Sequence, residues 1–282
     1  MRGAPLKAAV VGHPIGHSQS PTIHGHWLEA TGIAGTYEAM DLHPDSFEAD
    51  IRKLVDQGFQ GVNATVPHKE VALAIADEVD DTARRIGASN TLVFRDGRIH
   101  AQNTDAFGFW QNLVPQLHGQ VPQRAVVLGA GGAARAVLVA LQDAGVGHVM
   151  LANRTHGRAT ALAEELADTA TIETLTWDDA EALLDQEAVD LIVNTSSRGM
   201  KGEHPITCAL AAQTPETVVN DIVYSPLQTA LLETAAARGC QTVDGLGMLL
   251  HQARPAFQAF FGGRVSVDAG LRHKVETRMG LR

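Results

Sequence analysis

Cysteine is scarce in this chain of 282 residues, which contains only Cys208 and Cys240 and no C-x-x-C motif. Two isolated cysteines argue against both a disulfide framework and a structural zinc site. Histidine is more common, but no H-E-x-x-H motif occurs, and no carboxylate completes a ligand set beside the four histidines between positions 13 and 26. We therefore expect no metal site.

The chain also lacks a long hydrophobic segment and an excess of positive charge. No run approaches the roughly 18 apolar residues of a membrane span, and the N-terminal residues do not form the apolar stretch of a signal peptide. With 22 basic and 32 acidic residues the net charge is −10, which argues against nucleic-acid binding. We expect a cytoplasmic protein, either monomer or homodimer, that binds a small molecule and neither membrane nor nucleic acid.

A glycine-rich loop is the central motif of the sequence. An apolar run over residues 125–128, typical of a buried parallel strand, leads into Gly129-Ala130-Gly131-Gly132-Ala133-Ala134 and then into a helical pattern. In this G-x-G-x-x-A pattern Gly129 permits a tight turn, Gly131 lets a pyrophosphate approach the backbone, and Ala134 lets the helix pack on its strand. The motif predicts a dinucleotide site at the helix N-terminus. An ordinary glycine turn is the alternative.

The end of the next predicted strand, at residues 148–153, indicates which dinucleotide binds. An NAD site usually has Asp or Glu there to bind the ribose 2′-hydroxyl, whereas this chain has Asn153 and Arg154. A carboxylate would repel a 2′-phosphate, and a guanidinium binds one through paired hydrogen bonds. The sequence therefore predicts NADP. A solvated surface cation is the other interpretation of Arg154.

Polar residues follow predicted strands in the N-terminal half. Ser18 and Ser20 lie between a strand at 6–11 and a helix at 22–30, where they could cap the helix or bind a polar ligand. Asn63 and Thr65 alternate with apolar residues in a predicted strand over 61–67, so we expect both side chains on one face, beside Lys69. An edge strand with one solvated face is the alternative.

A predicted hairpin over residues 91–102, with Asp-Gly at its turn, precedes Asp105 and a helix that begins near Ala106. Asp105 could be a plain helix cap or a site residue. Beyond the glycine loop, helices and strands alternate, as a parallel sheet requires. The remaining predicted elements of that half are helices at 157–166, 178–184 and 227–238 and strands at 171–175, 189–194, 218–223 and 241–243. A helix that begins with residues 245–252 and another at 267–278 follow. The length favours two domains.

Seven motifs, in chain order, resemble those of the bacterial biosynthetic shikimate dehydrogenases, and together they cover essentially the whole chain. They are G-x-P-I-x-H-S-x-S-P-x-x-H at 12–24, N-x-T-x-P-x-K at 63–69, S-N-T at 89–91, N-T-D at 103–105, G-A-G-G-A-x-R-A at 129–136, N-R-T at 153–155 and D-G-L-G-M-L-x-x-Q at 244–252. Their order predicts an α/β fold with a substrate-binding domain over residues 1–105, a Rossmann-type NADP-binding domain over 106–244, and C-terminal helices over 245–282 that return to the substrate domain.

The resemblance implies an oxidoreductase for the reversible NADPH-dependent reduction of 3-dehydroshikimate to shikimate, in the route to aromatic amino acids. It also implies roles for matching positions. The implied catalytic pair at the reacting oxygen is Lys69 and Asp105, and Asp105 also binds substrate. The other implied substrate contacts are Ser18 and Ser20 at the carboxylate and Asn63, Thr65, Asn90, Tyr224 and Gln252 around the ring. The implied cofactor contacts are Gly129, Ala130, Gly131, Gly132 and Ala133 at the pyrophosphate, Asn153, Arg154, Thr155 and Arg158 at the adenosine phosphate, and Ile222, Gly245 and Met248 at the nicotinamide.

The residue chemistry agrees with that implied pair. Hydride transfer to a ketone builds negative charge on oxygen, and a lysine beside an aspartate can stabilise that charge and release a proton. Which of the two delivers the proton stays open, because the pair can titrate as a unit. No metal is required, since the nicotinamide supplies the hydride.

The sequence departs from the family pattern at Gly25, where Asn is usual, and at Thr195 and Ser196, where Ala and Thr are usual. These departures concern the geometry of two loops and not the proposed chemistry. Three other functions remain open: a quinate/shikimate dehydrogenase that uses NAD, a non-enzymatic sensor on the same fold, and a dehydrogenase of other cyclic substrates.

Overall fold

The computed structural model describes residues 4–167 and 172–281, which form two six-stranded sheets flanked by helices. The strands are β1 (Leu6–Gly12), β2 (Gly35–Asp41), β3 (Gly61–Ala64), β4 (Glu78–Val79), β5 (Thr91–Arg95), β6 (Arg98–Gln102), β7 (Arg124–Leu128), β8 (His148–Asn153), β9 (Ile172–Thr176), β10 (Leu191–Asn194), β11 (Val218–Asp221) and β12 (Gln241–Val243).

The helices follow the strands in an α/β pattern. They are α1 (Ser20–Thr31), α2 (Phe47–Asp56), α3 (Lys69–Ala74), α4 (Asp81–Ile86), α5 (Asp105–Leu117), α6 (Gly132–Asp143), α7 (His156–Glu165), α8 (Trp177–Gln186), α9 (Ala230–Ala237), α10 (Leu246–Phe261) and α11 (Ala269–Arg278), with a short 3-10 helix at Pro44–Ser46. In the part of the chain that the structure describes, no helix is both long and apolar enough for a membrane span.

The chain divides into two compact units. Unit 1 contains the residues up to Ala106 together with Leu250–Gly280, and unit 2 contains Phe107–Leu249. The chain therefore passes from one unit to the other within α5 and returns within α10. Each unit contains one of the two sheets.

Unit 1 is built on a mixed sheet in the order β2-β1-β3-β5-β6-β4. Strand β1 is parallel to β2 and β3, while β5 is antiparallel to both β3 and β6. The predicted hairpin is present: Arg95 pairs with Arg98 across the two-residue turn Asp96-Gly97. Both turn residues have positive φ, 51° and 73°, as a type I′ turn requires, and Asp-Gly tolerates that conformation.

The strand predicted over residues 61–67 is too long, since β3 ends at Ala64. Thr65 instead opens a turn in which the His68 amide donates to the Thr65 carbonyl at 2.8 Å. The proline at position 67 has no N–H to continue the sheet. Thr65 therefore does not share a strand face with Asn63. The edge-strand alternative is also wrong, because β3 lies between β1 and β5 and is buried along its whole length.

Unit 2 is built on a parallel sheet in the order β12-β11-β10-β7-β8-β9. This is the order of a Rossmann-type domain, and its topological switch point lies between β7 and β10. The strands are apolar and buried on both faces, as β7 shows with Ala125–Leu128 all fully buried. Thr171, the predicted start of the strand before α8, lies outside the described residues; β9 is described from Ile172.

Helices α9 and α11 begin later than predicted because capping residues determine where they start. Thr229 is the N-cap of α9, where its side chain accepts a hydrogen bond from the Leu232 amide. Asp268 caps α11 in the same way through the Leu271 amide at 2.8 Å. Helices therefore do not form over residues 227–229 or 267–268.

A buried histidine packs among aromatic side chains in the core of unit 1. His24, on α1, is 0% exposed and stacks on Tyr37 with 3.8 Å between ring centroids and 3° between planes. Trp27 and Phe257 contact the same ring. Neither ring nitrogen has a hydrogen-bond partner among the described residues. Burial lowers the pKa of His24 to about 3, so this side chain is an uncharged aromatic ring at neutral pH.

We expect His24→Phe to reduce the loss of stability that acid causes. Because the folded-state pKa lies below the ordinary value of about 6.5, the unfolded chain binds the proton more strongly, and stability falls as the pH drops below about 6.5. Between about pH 7 and pH 5 this group accounts for a loss of about 2 kcal/mol. Urea unfolding at both pH values measures it. The exposed His17→Phe is the control, and an equal loss in wild type and His24→Phe would contradict the expectation.

Candidate active site

Lys69 and Asp105 form an ion pair in unit 1. Each is the first residue of its helix, α3 and α5, and Lys69 Nζ donates to Asp105 Oδ2 at 2.6 Å. The two side chains are 33% and 16% exposed, so the pair is partly accessible to a ligand. The Lys69 carbonyl accepts from the Ser89 amide at 2.8 Å, which ties the start of α3 to the S-N-T motif. The structure thus joins two of the predicted site residues directly.

Asn90 connects that pair to the rest of unit 1. Its Nδ2 donates to Asp105 Oδ1 at 2.8 Å and lies 3.3 Å from Gln252 Oε1. Its Oδ1 accepts from the Thr104 amide at 2.9 Å and from Thr91 Oγ1 at 3.0 Å. Both carboxylate oxygens of Asp105 therefore have a donor, and the orientation of the Asn90 amide is determined by its partners.

The alternative in which Asp105 is a plain helix cap is not supported, because its carboxylate binds Lys69 and Asn90. Asn103 satisfies the helix start instead: its Oδ1 accepts from the Asp105 amide at 2.9 Å. Thr104 is a residue that the sequence did not single out, although its Oγ1 lies 3.0 Å from Asn90 Nδ2 and 3.4 Å from Gln252 Oε1. Its place between Asn103 and Asp105 in one motif was the available signal.

Asn63 also reaches this cluster, but Ser18 and Thr65 do not. Asn63 Nδ2 donates to the Asn90 carbonyl at 3.1 Å and to Thr91 Oγ1 at 2.9 Å. The side chains of Ser18 and Thr65 are half-buried and, within residues 4–167 and 172–281, make no side-chain hydrogen bond to Lys69, Asp105 or Asn90.

The helix after the two serines is not capped by either of them. Gln19 is the N-cap of α1, without a side-chain cap bond, and Ser20 is the first helical residue. Ser18 Oγ accepts from the Ser20 amide at 3.3 Å. Near them, an ideal Cβ at Gly25 would meet nothing within 4 Å, so packing does not demand glycine there.

The glycine loop of unit 2 has the geometry that its motif predicts. Gly129 has φ +116°, and a Cβ there would lie 2.8 Å from both Thr195 Oγ1 and the Ser196 amide nitrogen. Gly131 is the N-cap of α6, which has no side-chain cap, and a Cβ at Gly131 would meet nothing within 4 Å. A side chain is excluded at one glycine, and room for a ligand remains at the other. These residues fit a dinucleotide pyrophosphate.

The departure at Thr195 strengthens this loop. Thr195 Oγ1 lies 3.1 Å from the Leu128 carbonyl and 3.0 Å from the Gly129 carbonyl. An alanine at this position could make neither contact. The end of β7 and the loop after β10 are therefore joined at the switch point of the sheet.

At the end of β8, one predicted cofactor residue supports the glycine loop and three others are exposed. Asn153 Oδ1 accepts from the Ala130 amide at 3.2 Å, and its Nδ2 donates to the Thr155 carbonyl at 2.9 Å. Asn153 thus braces the glycine loop. Arg154 and Thr155 follow the carboxyl end of β8, Arg158 lies in the first turn of α7, and all three residues are exposed. Two guanidinium groups are therefore available where a 2′-phosphate is predicted to bind.

The predicted nicotinamide residues also lie in unit 2, together with Tyr224. A Cβ at Gly245 would lie 2.0 Å from the Ile222 carbonyl oxygen, so these two backbone segments touch, and the Gly245 amide donates to the Val223 carbonyl at 3.2 Å. Met248 is half-buried in the first turn of α10.

A buried carboxylate that the sequence did not reveal supports the neighbouring strand ends. Asp221 is 1% exposed, and it accepts from Asn194 Nδ2 at 2.8 Å, the Val223 amide at 3.0 Å and Thr229 Oγ1 at 2.7 Å. Burial raises its pKa and these donors oppose the rise. The bonds join the ends of β10 and β11 to the start of α9.

We expect alanine to have different effects at the two loop glycines. Gly129→Ala should lower the free energy of unfolding by roughly 1–3 kcal/mol, because the positive φ and the contact with Ser196 both oppose a side chain. Gly131→Ala should keep the free energy of unfolding within about 0.5 kcal/mol of wild type. It should weaken binding of the predicted dinucleotide, because the added methyl group enters the space of that ligand. Urea unfolding and cofactor titration measure the two. Equal stability of the variants would contradict the expectation.

No three His, Cys, Asp or Glu side chains converge on a possible metal position in the described segments. His13 Nδ1 lies 2.5 Å from Asp41 Oδ1 on the exposed ends of β1 and β2, as a pair rather than a ligand set.

Comparisons with known proteins agree with this arrangement. Residues 10–92 match the family model described as shikimate dehydrogenase substrate binding domain, and residues 112–222 match the model described as shikimate/quinate 5-dehydrogenase. A protein of Methylobacterium radiotolerans named shikimate dehydrogenase (NADP(+)) is 50% identical over 280 residues, 98% of each chain.

Two solved structures are similar over nearly their full length. Shikimate 5-dehydrogenase from Thermus thermophilus, in complex with NADP(H) and shikimate, is 38% identical, with a TM-score of 0.82 and coverage of 96% of this chain and 99% of that one. Quinate dehydrogenase from Corynebacterium glutamicum, in complex with NAD, is 30% identical, with a TM-score of 0.87 and coverage of 99% and 100%.

Proposed function

Because the chain belongs to the shikimate dehydrogenase family, we propose that it catalyses the reversible NADPH-dependent reduction of 3-dehydroshikimate to shikimate in aromatic amino acid biosynthesis. It is an oxidoreductase with NADP as its cofactor. The observation that carries the proposal is the Lys69–Asp105 pair, held by Asn90, in a chain whose other unit has a dinucleotide-type glycine loop.

The two units have different tasks in this proposal. Unit 1 binds the substrate, which the match of residues 10–92 to a substrate-binding family model supports. Unit 2 binds NADP through the loop at Gly129 and Gly131, with Arg154 and Arg158 at the 2′-phosphate. Ile222, Gly245 and Met248 adjoin the nicotinamide.

Bound NADPH supplies the hydride. The Lys69 ammonium group donates a hydrogen bond to the ketone oxygen and stabilises the negative charge that develops there. It then transfers a proton to that oxygen, so that the ketone becomes a hydroxyl. Asp105 orients Lys69 through the 2.6 Å contact, and the partial exposure of Lys69 lets its amine regain a proton from water.

The other substrate contacts of this proposal are those that the family resemblance implies. Ser18 and Ser20 bind the carboxylate, and Asn63, Thr65, Asn90, Tyr224 and Gln252 adjoin the ring. Within this set, the Asn90 amide donors are already directed at protein oxygens, so its main task is to position Asp105. As a biosynthetic oxidoreductase the protein belongs in the cytoplasm, as a monomer or homodimer.

The test is a set of parallel assays of NADPH consumption by the purified chain. Addition of 3-dehydroshikimate should cause rapid NADPH oxidation, with slower turnover in NADH. Quinate with NADP should be a poor substrate pair. No turnover of 3-dehydroshikimate with either cofactor would overturn the proposal, and faster oxidation of quinate with NAD would favour the quinate dehydrogenase alternative. That alternative rests on the structural similarity to the Corynebacterium enzyme.

A further inference from the structure

The hydroxyl of Tyr37 binds one residue of the proposed substrate site, although no motif contains Tyr37. Tyr37 lies on β2 and is 9% exposed. Its Oη donates to Asn63 Oδ1 at 2.7 Å, and Asn63 is 8% exposed. The hydrogen bonds of Asn63 therefore include one to a buried hydroxyl.

The direction of these bonds follows from the partners of Asn63. Its Nδ2 donates to the Asn90 carbonyl, which can only accept, and to Thr91 Oγ1, whose own proton goes to Asn90 Oδ1. Both amide protons are thus used, and Oδ1 faces Tyr37. Burial keeps the pKa of Tyr37 well above its ordinary value, so the phenol retains its proton and donates it.

One consequence follows for the ligand. Asn63 has no proton left to donate, so it can meet a substrate only through the second lone pair of Oδ1, which accepts from a hydroxyl.

The other side of the phenol ring is covered by His24. The two rings are parallel at 3.8 Å, and neither His24 nitrogen hydrogen-bonds another of the described residues. The stack supports the ring of Tyr37 without competing for its hydroxyl. Removal of Oη alone therefore leaves the ring packing in place, so a variant can separate the effect of the hydroxyl from the effect of the ring.

We propose that Tyr37 is a positioning residue for the substrate: its hydroxyl orients Asn63 as a pure hydrogen-bond acceptor for a substrate hydroxyl. The proposal rests on the proposed function, because it assigns the ligand group that Asn63 meets. Tyr37 does not touch the reacting oxygen, so its contribution belongs to binding and not to the proton transfer.

The test is Tyr37→Phe, which keeps the ring and removes Oη. We expect KM for 3-dehydroshikimate to rise roughly tenfold, because a buried acceptor on Asn63 loses its donor. The kcat should change less than about threefold, and KM for NADPH should not change. Shikimate binding measured by calorimetry should weaken by the same factor. In an Asn63→Ala background the same substitution should raise KM by a smaller factor, because the Tyr37 hydroxyl acts through Asn63.

Thr217→Val is the matched control, since Thr217 Oγ1 is a buried hydroxyl of unit 2 that donates to the Val189 carbonyl at 2.8 Å. It should lower the melting temperature without changing either KM. A Tyr37→Phe variant that melts earlier but keeps wild-type KM and shikimate affinity would overturn the proposal, as would effects of Tyr37→Phe and Asn63→Ala that simply multiply. An inactive wild type would instead refute the proposed function, so the two failures are distinguishable.

Discussion

Replacement of Lys69 by methionine is expected to lower kcat by roughly 10²- to 10⁴-fold, the usual contribution of a general acid. Methionine has similar bulk but no proton to donate, so the ketone oxygen loses both its hydrogen bond and its proton source. The KM for 3-dehydroshikimate should change much less, because the lost interaction strengthens mainly in the transition state. Steady-state kinetics in the reductive direction measure both parameters.

Lys69→Ala should be about equally impaired, since the loss is one of chemistry rather than of packing. Lys53→Met is the matched control: Lys53 Nζ also pairs with an aspartate, Asp50, at 2.8 Å, but on the surface of α2 with a 67% exposed side chain. It should retain wild-type kcat. If Lys69→Met keeps near-normal turnover and only loses substrate affinity, Lys69 is a binding residue and not the proton donor.

Replacement of Arg154 by aspartate is expected to weaken NADPH on the order of a hundredfold, with a smaller effect on NADH. A charge-assisted bond to a phosphate contributes roughly 1.5–3 kcal/mol, and the new carboxylate adds repulsion of the 2′-phosphate. NADH lacks that phosphate, so the ratio of the two affinities should move toward NADH. Cofactor titration by fluorescence and KM values for both cofactors measure the shift.

Arg238→Asp is the control for the change of charge. Arg238 is also an exposed arginine of unit 2, but it follows α9 and precedes β12, so it lies at the amino end of a strand, whereas Arg154 follows a carboxyl end. Cofactor preference should not change in this variant. An unchanged preference for NADPH in Arg154→Asp would show that another group, with Arg158 the first to examine, binds the 2′-phosphate.

Local sequence was enough to predict the elements whose geometry depends on a few neighbouring residues. The Asp96-Gly97 turn has the positive φ angles that this pair tolerates. In the glycine loop, Gly129 has the positive φ and the close contacts that require glycine, and Gly131 has space where a side chain would lie. The α/β pattern of unit 2 likewise follows from apolar runs and small-residue turns. Backbone sterics and burial determine these features, and both can be read within a short window.

The hydrogen bonds of the candidate site depended on tertiary structure. Nothing near Asn63 in the sequence indicates that its amide is shared among Tyr37, Asn90 and Thr91, because Tyr37 lies on β2 and the other two lie at or immediately before the start of β5. The same holds for two of the donors to the buried Asp221, since Asn194 and Thr229 are distant from it in the sequence.

The sequence by itself determined the family, the parallel strands of one half, the hairpin of the other half and the cofactor preference. These features depend on motifs and on residue chemistry. Tertiary structure decided that β3 ends at Ala64 and that Asp105 binds Lys69 instead of capping its helix. It also decided that His24 is an uncharged ring in the core. The physical reason is that a buried polar group takes whichever partner the packed chain brings within hydrogen-bond distance, and the sequence order of those partners does not specify that choice.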